Sequence, residues 1–153
     1  MALEPRRMLR GALAGGIAAG AWALQQPLDK RVFGSRYDDV ELLGRALRPR
    51  AGRGVWYPLG FALHVQNGAA FGAAYAALTP RLPLPPALRG PLVAQIENFG
   101  LWPLGRLNDR FHPARAQLPR LTGNRRALAQ ATWRHLLFGV ALGELERRLN
   151  PPS

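Results

Sequence analysis

Residues 64–72 read HVQNGAAFG and residues 135–143 read HLLFGVALG, so each stretch has a histidine followed by two glycines at four-residue steps. Four residues make about one helical turn, so these three positions share one helix face. Both stretches belong to runs that are almost free of charge, of which the chain has four: 11–28, 54–80, 90–105 and 127–143. With no persistent strand pattern, the runs predict four helices.

Glycine spacing in these runs indicates how the helices pack. Glycines recur at G-x-x-x-G spacing in three runs, as Gly11 and Gly15, Gly16 and Gly20, Gly68 and Gly72, and Gly139 and Gly143. A glycine inside a helix costs about 1 kcal/mol relative to alanine, so repeated pairs indicate close helix contacts, as in membrane proteins. The run 54–80 exceeds the about 20 residues that span a bilayer. We therefore predict an all-α four-helix bundle, transmembrane, packed through these glycines.

The two halves of the chain resemble each other. LRGALAGGIAAGAWALQQPLDK at 9–30 aligns with LRGPLVAQIENFGLWPLGRLNDR at 88–110 when one residue is inserted, which matches Trp22 with Trp102 and Asp29 with Asp109. The histidine motifs follow in the second helix of each half. We therefore predict a single domain, 1–153, built from two helix-loop-helix repeats at about 7–80 and 86–150.

The connections between the runs are basic. Residues 29–53 contain seven Lys or Arg and residues 106–126 contain six Arg, within a total of 21 basic against 9 acidic residues. In the first loop, the stripe of Val40, Leu43 and Leu47 predicts a short amphipathic helix. Membrane lipids with anionic headgroups are the predicted partners of the basic loops. Nucleic acid is not predicted as a partner, because most aromatic residues lie in the apolar runs and not among these arginines.

Polar and ionisable side chains inside the runs are the candidates for a site, because burying them in a helix bundle costs free energy. The candidate buried polar or ligand site consists of His64, Asn67, Glu97, Asn98 and His135. One interpretation is that the histidines hold the bundle in register through hydrogen bonds. The other is a ligand site, with b-type haem between His64 and His135 as one form of it. A metal held by His64, His135 and Glu97 lacks supporting ligand spacing, and no metal is predicted.

Catalysis is not predicted. The chain has no Cys, which excludes disulfides and thiolate nucleophiles, and its two serines, Ser35 and Ser153, do not stand in a G-x-S-x-G turn. Asp29 with Lys30 and Arg31, and Asp109 with Arg110, are expected to form surface ion pairs at matching helix ends. The alternative is that both loops face anionic lipid headgroups.

Two stretches carry a resemblance to known proteins: WALQQPLDKRVFGSRYDDVELLG at 22–44 and RALAQATWRHLLFGVALGELERRLN at 126–150. The chain resembles small glycine-rich four-helix conserved hypothetical proteins of GC-rich bacteria, usually described as uncharacterised membrane proteins. The resemblance implies four helices and brings no activity with it.

The predicted function is that of an integral protein of the bacterial inner membrane, not an enzyme, that serves assembly or small-solute permeation and can form a homo-oligomer. The alternative is a soluble or peripheral four-helix bundle that binds a ligand, such as haem or lipid, around His64 and His135.

Overall fold

The computed structural model describes residues 4–151, which are helical and contain no strand. Six α-helices follow one another: α1 (Pro5–Phe33), α2 (Asp39–Leu47), α3 (Arg53–Leu78), α4 (Pro86–Leu101), α5 (Gly105–Phe111) and α6 (Arg125–Leu149). Short 3₁₀ turns lie at Thr79–Arg81 and Trp102–Leu104. The all-α prediction is confirmed for this part of the chain. The number of helices exceeds the four of the predicted bundle, because both basic loops contain a short helix.

Local signals explain where several helices begin and end. The Asp38 carboxylate accepts a hydrogen bond from the Glu41 N–H, 2.9 Å away, and caps α2. The Asn124 side chain accepts one from the Ala127 N–H at 3.0 Å and caps α6. Gly34 ends α1 in the left-handed region at φ 56°, which glycine adopts without strain. The short helix predicted in the first loop is therefore present as α2, with a capped start.

The helices pack as a row and do not close into a square bundle. In the N-terminal half, α1 and α2 both pack on α3, and in the C-terminal half α4 packs on α6. The two halves meet mainly where α1 packs on α6, whereas α3 touches α6 only lightly. Helices α3 and α4 have no extensive contact within residues 4–151. A space therefore remains between the halves on the side of α3 and α4.

Glycines hold α1 and α3 at close range. A Cβ atom placed on Gly15 would lie 2.0 Å from the carbonyl oxygen of Gly68, and one on Gly72 would lie 2.1 Å from that of Gly11. No side chain fits at such distances, so the two backbones approach each other directly. Gly11, Gly15, Gly68 and Gly72 therefore all lie in this one helix contact.

The remaining glycines of the predicted packing set differ in their surroundings. Gly139 meets α4 at Gly90, where an added Cβ atom would lie 2.6 Å from the Gly90 carbonyl oxygen. Gly143 and Gly16 have neighbours no closer than 3.5 Å and 3.6 Å, and Gly20 has none within 4 Å. These three positions do not require glycine for packing inside the chain.

The membrane prediction is wrong. Among residues 4–151, no helix combines the length and the apolar character that crossing a membrane requires. The physical reason is that absence of charge is not the same as hydrophobicity. Glycine and alanine have little apolar area to transfer out of water, and α3 also carries His64, Gln66 and Asn67. The predicted transmembrane helices, the integral membrane function and the inner-membrane location are corrected together.

Apolar side chains are nevertheless exposed along the outer faces of α1 and α4. Four of the residue pairs that match in the two halves lie there or in the 3₁₀ turn after α4: Leu9 with Leu88, Leu13 with Leu92, Ile17 with Ile96, and Leu24 with Leu104, each between 42 and 73 % exposed. Shared core packing therefore does not account for these matches. Both halves have the order long helix, short helix, long helix, and the duplication itself stays a prediction.

We expect alanine at Gly15 and at Gly20 to have opposite effects on stability. Gly15→Ala forces α1 away from α3 and should lower the free energy of unfolding by about 1–3 kcal/mol, as overpacking does. Gly20→Ala meets no neighbour and should raise it by up to about 1 kcal/mol through helix propensity alone. Urea unfolding followed by far-UV circular dichroism measures both. Equal unfolding midpoints for the two variants would contradict the contact between α1 and α3.

Candidate functional site

A cavity of about 310 Å³ lies where the two halves meet. Its lining includes Trp22 of α1, His64 and Phe71 of α3, and His135 and Phe138 of α6. Residues of α2, α4 and α5 complete the wall, so every helix contributes to it. The volume is at the small end of the range for pockets that bind small molecules.

The five polar residues singled out from the sequence all line this cavity. Asn67 and His64 come from one face of α3, Glu97 and Asn98 from α4, and His135 from α6. His64 and Asn98 are buried, Glu97 and His135 are half-buried, and Asn67 is exposed at the rim. The fold thus brings together residues of both halves, because α3 and α4 stand on either side of the space that their packing leaves open.

Trp22 lies between the two histidines' helices and contacts both rings. Its indole packs edge-on against His64 and His135, with ring centroids 5.1 and 4.8 Å away, and against Phe138 at 5.8 Å. Only 8 % of its surface is exposed. In the sequence, Trp22 stands out only as the match to Trp102, which also lines the cavity. The sequence signal for its burial was its position one helical turn beyond Ala18 and Ala19, on the side of α1 that is buried.

The His135 ring has a defined proton position. Its Nδ1–H donates to the backbone carbonyl of Ala131 at 2.8 Å, because a carbonyl oxygen can only accept. In the neutral ring, Nε2 is then an acceptor, and it lies 3.4 Å from the Glu97 Oε2 atom. Two acceptors that face each other need a proton or another donor between them.

His64 contributes an imidazole that is uncharged at neutral pH. Burial lowers its pKa, and nearby Arg134 lowers it further, although Asp39 acts in the opposite direction. Its Nε2 atom and the Nε1–H of Trp22 are buried and have no hydrogen-bond partner among the described residues. A buried polar group without a partner costs about 1–3 kcal/mol, so the cavity wall carries two unsatisfied groups.

A buried ion pair beside the cavity joins the two halves. The fully buried Arg134 of α6 donates from Nε and Nη2 to the two carboxylate oxygens of Asp29 in α1, at 2.6 and 2.7 Å. Gln130 donates to the same carboxylate at 2.6 Å. The expected surface pair of Asp29 with Lys30 or Arg31 is therefore wrong. Helix α1 continues through Pro27 to Phe33, which turns Asp29 inward against α6.

Asp39 is the second carboxylate of this network and part of the cavity wall. It accepts from the Nη1 atom of Arg134 at 2.8 Å and from the hydroxyl of Tyr37. Burial, the largest effect, opposes its ionisation, but the Arg134 guanidinium, the nearby imidazoles and the Tyr37 hydrogen bond together outweigh burial and hold the pKa of Asp39 below its ordinary value. Burial and the neighbouring Asp39 raise the pKa of Tyr37 well above its ordinary value. At neutral pH the carboxylate is therefore charged and the phenol is protonated.

The charged residues that line the cavity are Asp39 and Glu97, both acidic. The chain has 21 Lys and Arg, yet none in the described part of the chain lines it. Residues 4–151 also contain no group of three or more His, Cys, Asp or Glu that could hold a metal ion. The hypothesis of a metal held by His64, His135 and Glu97 is therefore without structural support.

Comparison with known proteins gives no guide to this site, since no protein-family model, no curated protein sequence and no solved structure matches the chain. Function must be inferred from the cavity and its side chains.

We expect Arg134 to be essential for stability. Arg134→Leu leaves Asp29 charged and buried without a cation and should lower the free energy of unfolding by about 3–5 kcal/mol. Arg148→Leu is the matched control, because Arg148 pairs with the exposed Glu144 on the surface of α6, and such a pair contributes at most about 1 kcal/mol. Urea unfolding compares the two variants. Equal losses would show that the pair between α1 and α6 does not join the halves.

The lowered pKa of His64 predicts a pH-dependent stability. The unfolded chain takes up the proton near pH 6.5, whereas folded His64 does so only at lower pH. Stability contributed by His64 is therefore complete above about pH 6.5 and decreases as the pH falls below it. In His64→Gln this dependence is lost. Free energies of unfolding measured between about pH 5 and 7.5 test this, and parallel curves for the two proteins would refute it.

Proposed function

We propose that this protein binds a small organic molecule in the cavity between its two halves, against Trp22, His64 and His135. The observation that carries the proposal is the cavity itself, which is about 310 Å³ in volume and lined by residues of both halves. An apolar pocket with a few convergent polar groups is the usual form of a small-molecule site.

The composition of the wall supports a ligand. Apolar and aromatic side chains provide most of it, among them Phe71, Phe138, Leu101 and Trp102. Polar groups stand at defined places between them, with the two imidazoles on either side of Trp22. A wall of this kind can bury the body of a small molecule and fix its orientation through hydrogen bonds.

The interpretation that the histidines serve only to hold the helices in register has less support. The His64 Nε2 atom has no partner in the described part of the chain. The His135 Nδ1–H bonds to Ala131 in its own helix, and its Nε2 atom has only the 3.4 Å approach to Glu97. The close contacts that position the helices are made by glycines and by Arg134 with Asp29.

Binding without catalysis is part of the proposal. Asp39, which could act as a base, is already engaged by Arg134 and Tyr37. Haem between His64 and His135 stays a prediction, as do anionic lipid headgroups and a second copy of the chain as partners. The described contacts of the cavity do not favour haem over other small molecules.

Three aromatic probes of similar size test for binding: phenethyl alcohol, phenethylammonium and phenylacetate, which are neutral, cationic and anionic. We expect at least one to shift the Trp22 indole N–H resonance, with a dissociation constant between about 10 μM and 1 mM for a molecule of this size.

Closing the cavity should abolish this binding. Asn67 is exposed at the rim, so Asn67→Trp places a large side chain over the opening and should weaken binding at least about tenfold. Gln66→Trp is the control, because Gln66 is the exposed neighbour on the same helix and does not line the cavity. If no probe binds, or if binding is the same in both variants, the proposed function is wrong.

A further inference from the structure

We infer that the ligand is an organic ammonium ion, with at least one N–H group and an apolar body. This inference rests on the proposed function and adds the chemical class of the ligand.

The charges on the wall favour a cation. Asp39 and Glu97 are its charged residues, and among residues 4–151 no Lys or Arg lines it. Arg134 is the cation of the buried network beside the cavity, but it is shared by the carboxylates of Asp29 and Asp39. Two carboxylates on one guanidinium leave one negative charge in excess beside the cavity, and Glu97 adds another. An ammonium ion compensates this charge, whereas a carboxylate or phosphate adds to it.

Glu97 and His135 call for a donor, whereas the Trp22 Nε1–H, which also has no partner among the described residues, calls for an acceptor. The Glu97 Oε2 atom and the His135 Nε2 atom lie 3.4 Å apart, and both are acceptors when the imidazole is neutral. An N–H group placed against this pair satisfies acceptors that otherwise repel each other. His64, only 8 % exposed, offers a further Nε2 atom without a partner.

The aromatic residues suit both parts of such a ligand. Trp22, Trp102, Tyr37, Phe71 and Phe138 line the same space. Aromatic faces attract an ammonium group through the ring quadrupole and also bury an apolar body. The Arg134 guanidinium already lies over the Tyr37 ring, with its Cζ atom 5.5 Å from the ring centroid, so the other four rings remain for the ligand.

Isothermal titration calorimetry with the three probes at about 0.15 M salt tests the class, because surface charges are screened beyond about 8 Å there. We expect phenethylammonium to bind at least about fivefold more tightly than phenethyl alcohol, and phenylacetate to bind most weakly. The net charge of +12 works against this order, since it attracts phenylacetate. A preference for the cation must therefore come from the cavity.

Glu97→Gln removes one charge from the wall with almost no change in shape. It should weaken phenethylammonium binding about fivefold, and by more than it weakens the binding of phenethyl alcohol, whose hydroxyl carries no charge. Glu144→Gln is the matched control, because it removes the same charge from an exposed residue paired with Arg147 and Arg148.

The outcomes separate this inference from the proposed function. If phenethyl alcohol or phenylacetate binds as tightly as phenethylammonium, and Asn67→Trp blocks that binding, the cavity is a ligand site and the cation class is wrong. Equal effects of Glu97→Gln and Glu144→Gln on the cation would also overturn it. If none of the three probes binds, both the inference and the proposed function fail.

Discussion

The buried pair of Arg134 with Asp29 is the interaction on which the cavity depends. Helices α1 and α6 form the main contact between the halves, and this pair lies inside it. Trp22 lies two turns before Asp29 on the same face of α1. The contact of Asp29 with α6 therefore also positions Trp22 against His135. A buried ion pair contributes little net stability, since desolvation offsets the attraction, but a displaced partner is costly. The pair therefore specifies one register between the halves.

Glycine contacts explain why a space remains beside that pair. In each half the long helices approach through bare backbone, at Gly15 with Gly68 and at Gly90 with Gly139. At the junction of the halves, by contrast, large rings such as Trp22 and Phe138 stand between the helices. The helices are closely spaced within each half and more widely spaced between the halves. With this spacing, α3 does not reach α4. The resulting gap is the cavity, and His64 lies at its edge on the same face of α3 as Gly68.

Parts of this arrangement could be predicted from the sequence because they have local signatures. Polar residues inside uncharged runs are conspicuous, so His64, Asn67, Glu97, Asn98 and His135 could be selected before their neighbourhood was known. The charge-free runs located the long helices, but the same runs led to the wrong membrane prediction, since alanine and glycine are uncharged without being strongly apolar.

Other parts had no local signature. The pairing of Asp29 with Arg134 joins distant positions, and nothing near either residue distinguishes it from the many surface charges. In the sequence, Asp39 is an ordinary acidic residue of the first turn of a helix, but its carboxylate contacts the guanidinium of Arg134. The short α5 follows a 3₁₀ turn in a loop rich in arginine, where no periodic apolar pattern marks a helix.

The chain is basic, but the charged residues on the cavity wall are acidic. The charge that attracts a ligand to the protein surface therefore differs from the charge that selects it in the cavity. Exposed arginines act through water and salt, which screen them beyond about 8 Å at physiological ionic strength. Asp39 and Glu97 are both half-buried, so their fields act at short range in a medium of lower dielectric constant. A ligand near the surface therefore meets a positive protein, whereas a ligand inside the cavity meets a negative wall. The net charge of the chain consequently says little about what the cavity binds, and the few charges that line it decide its preference.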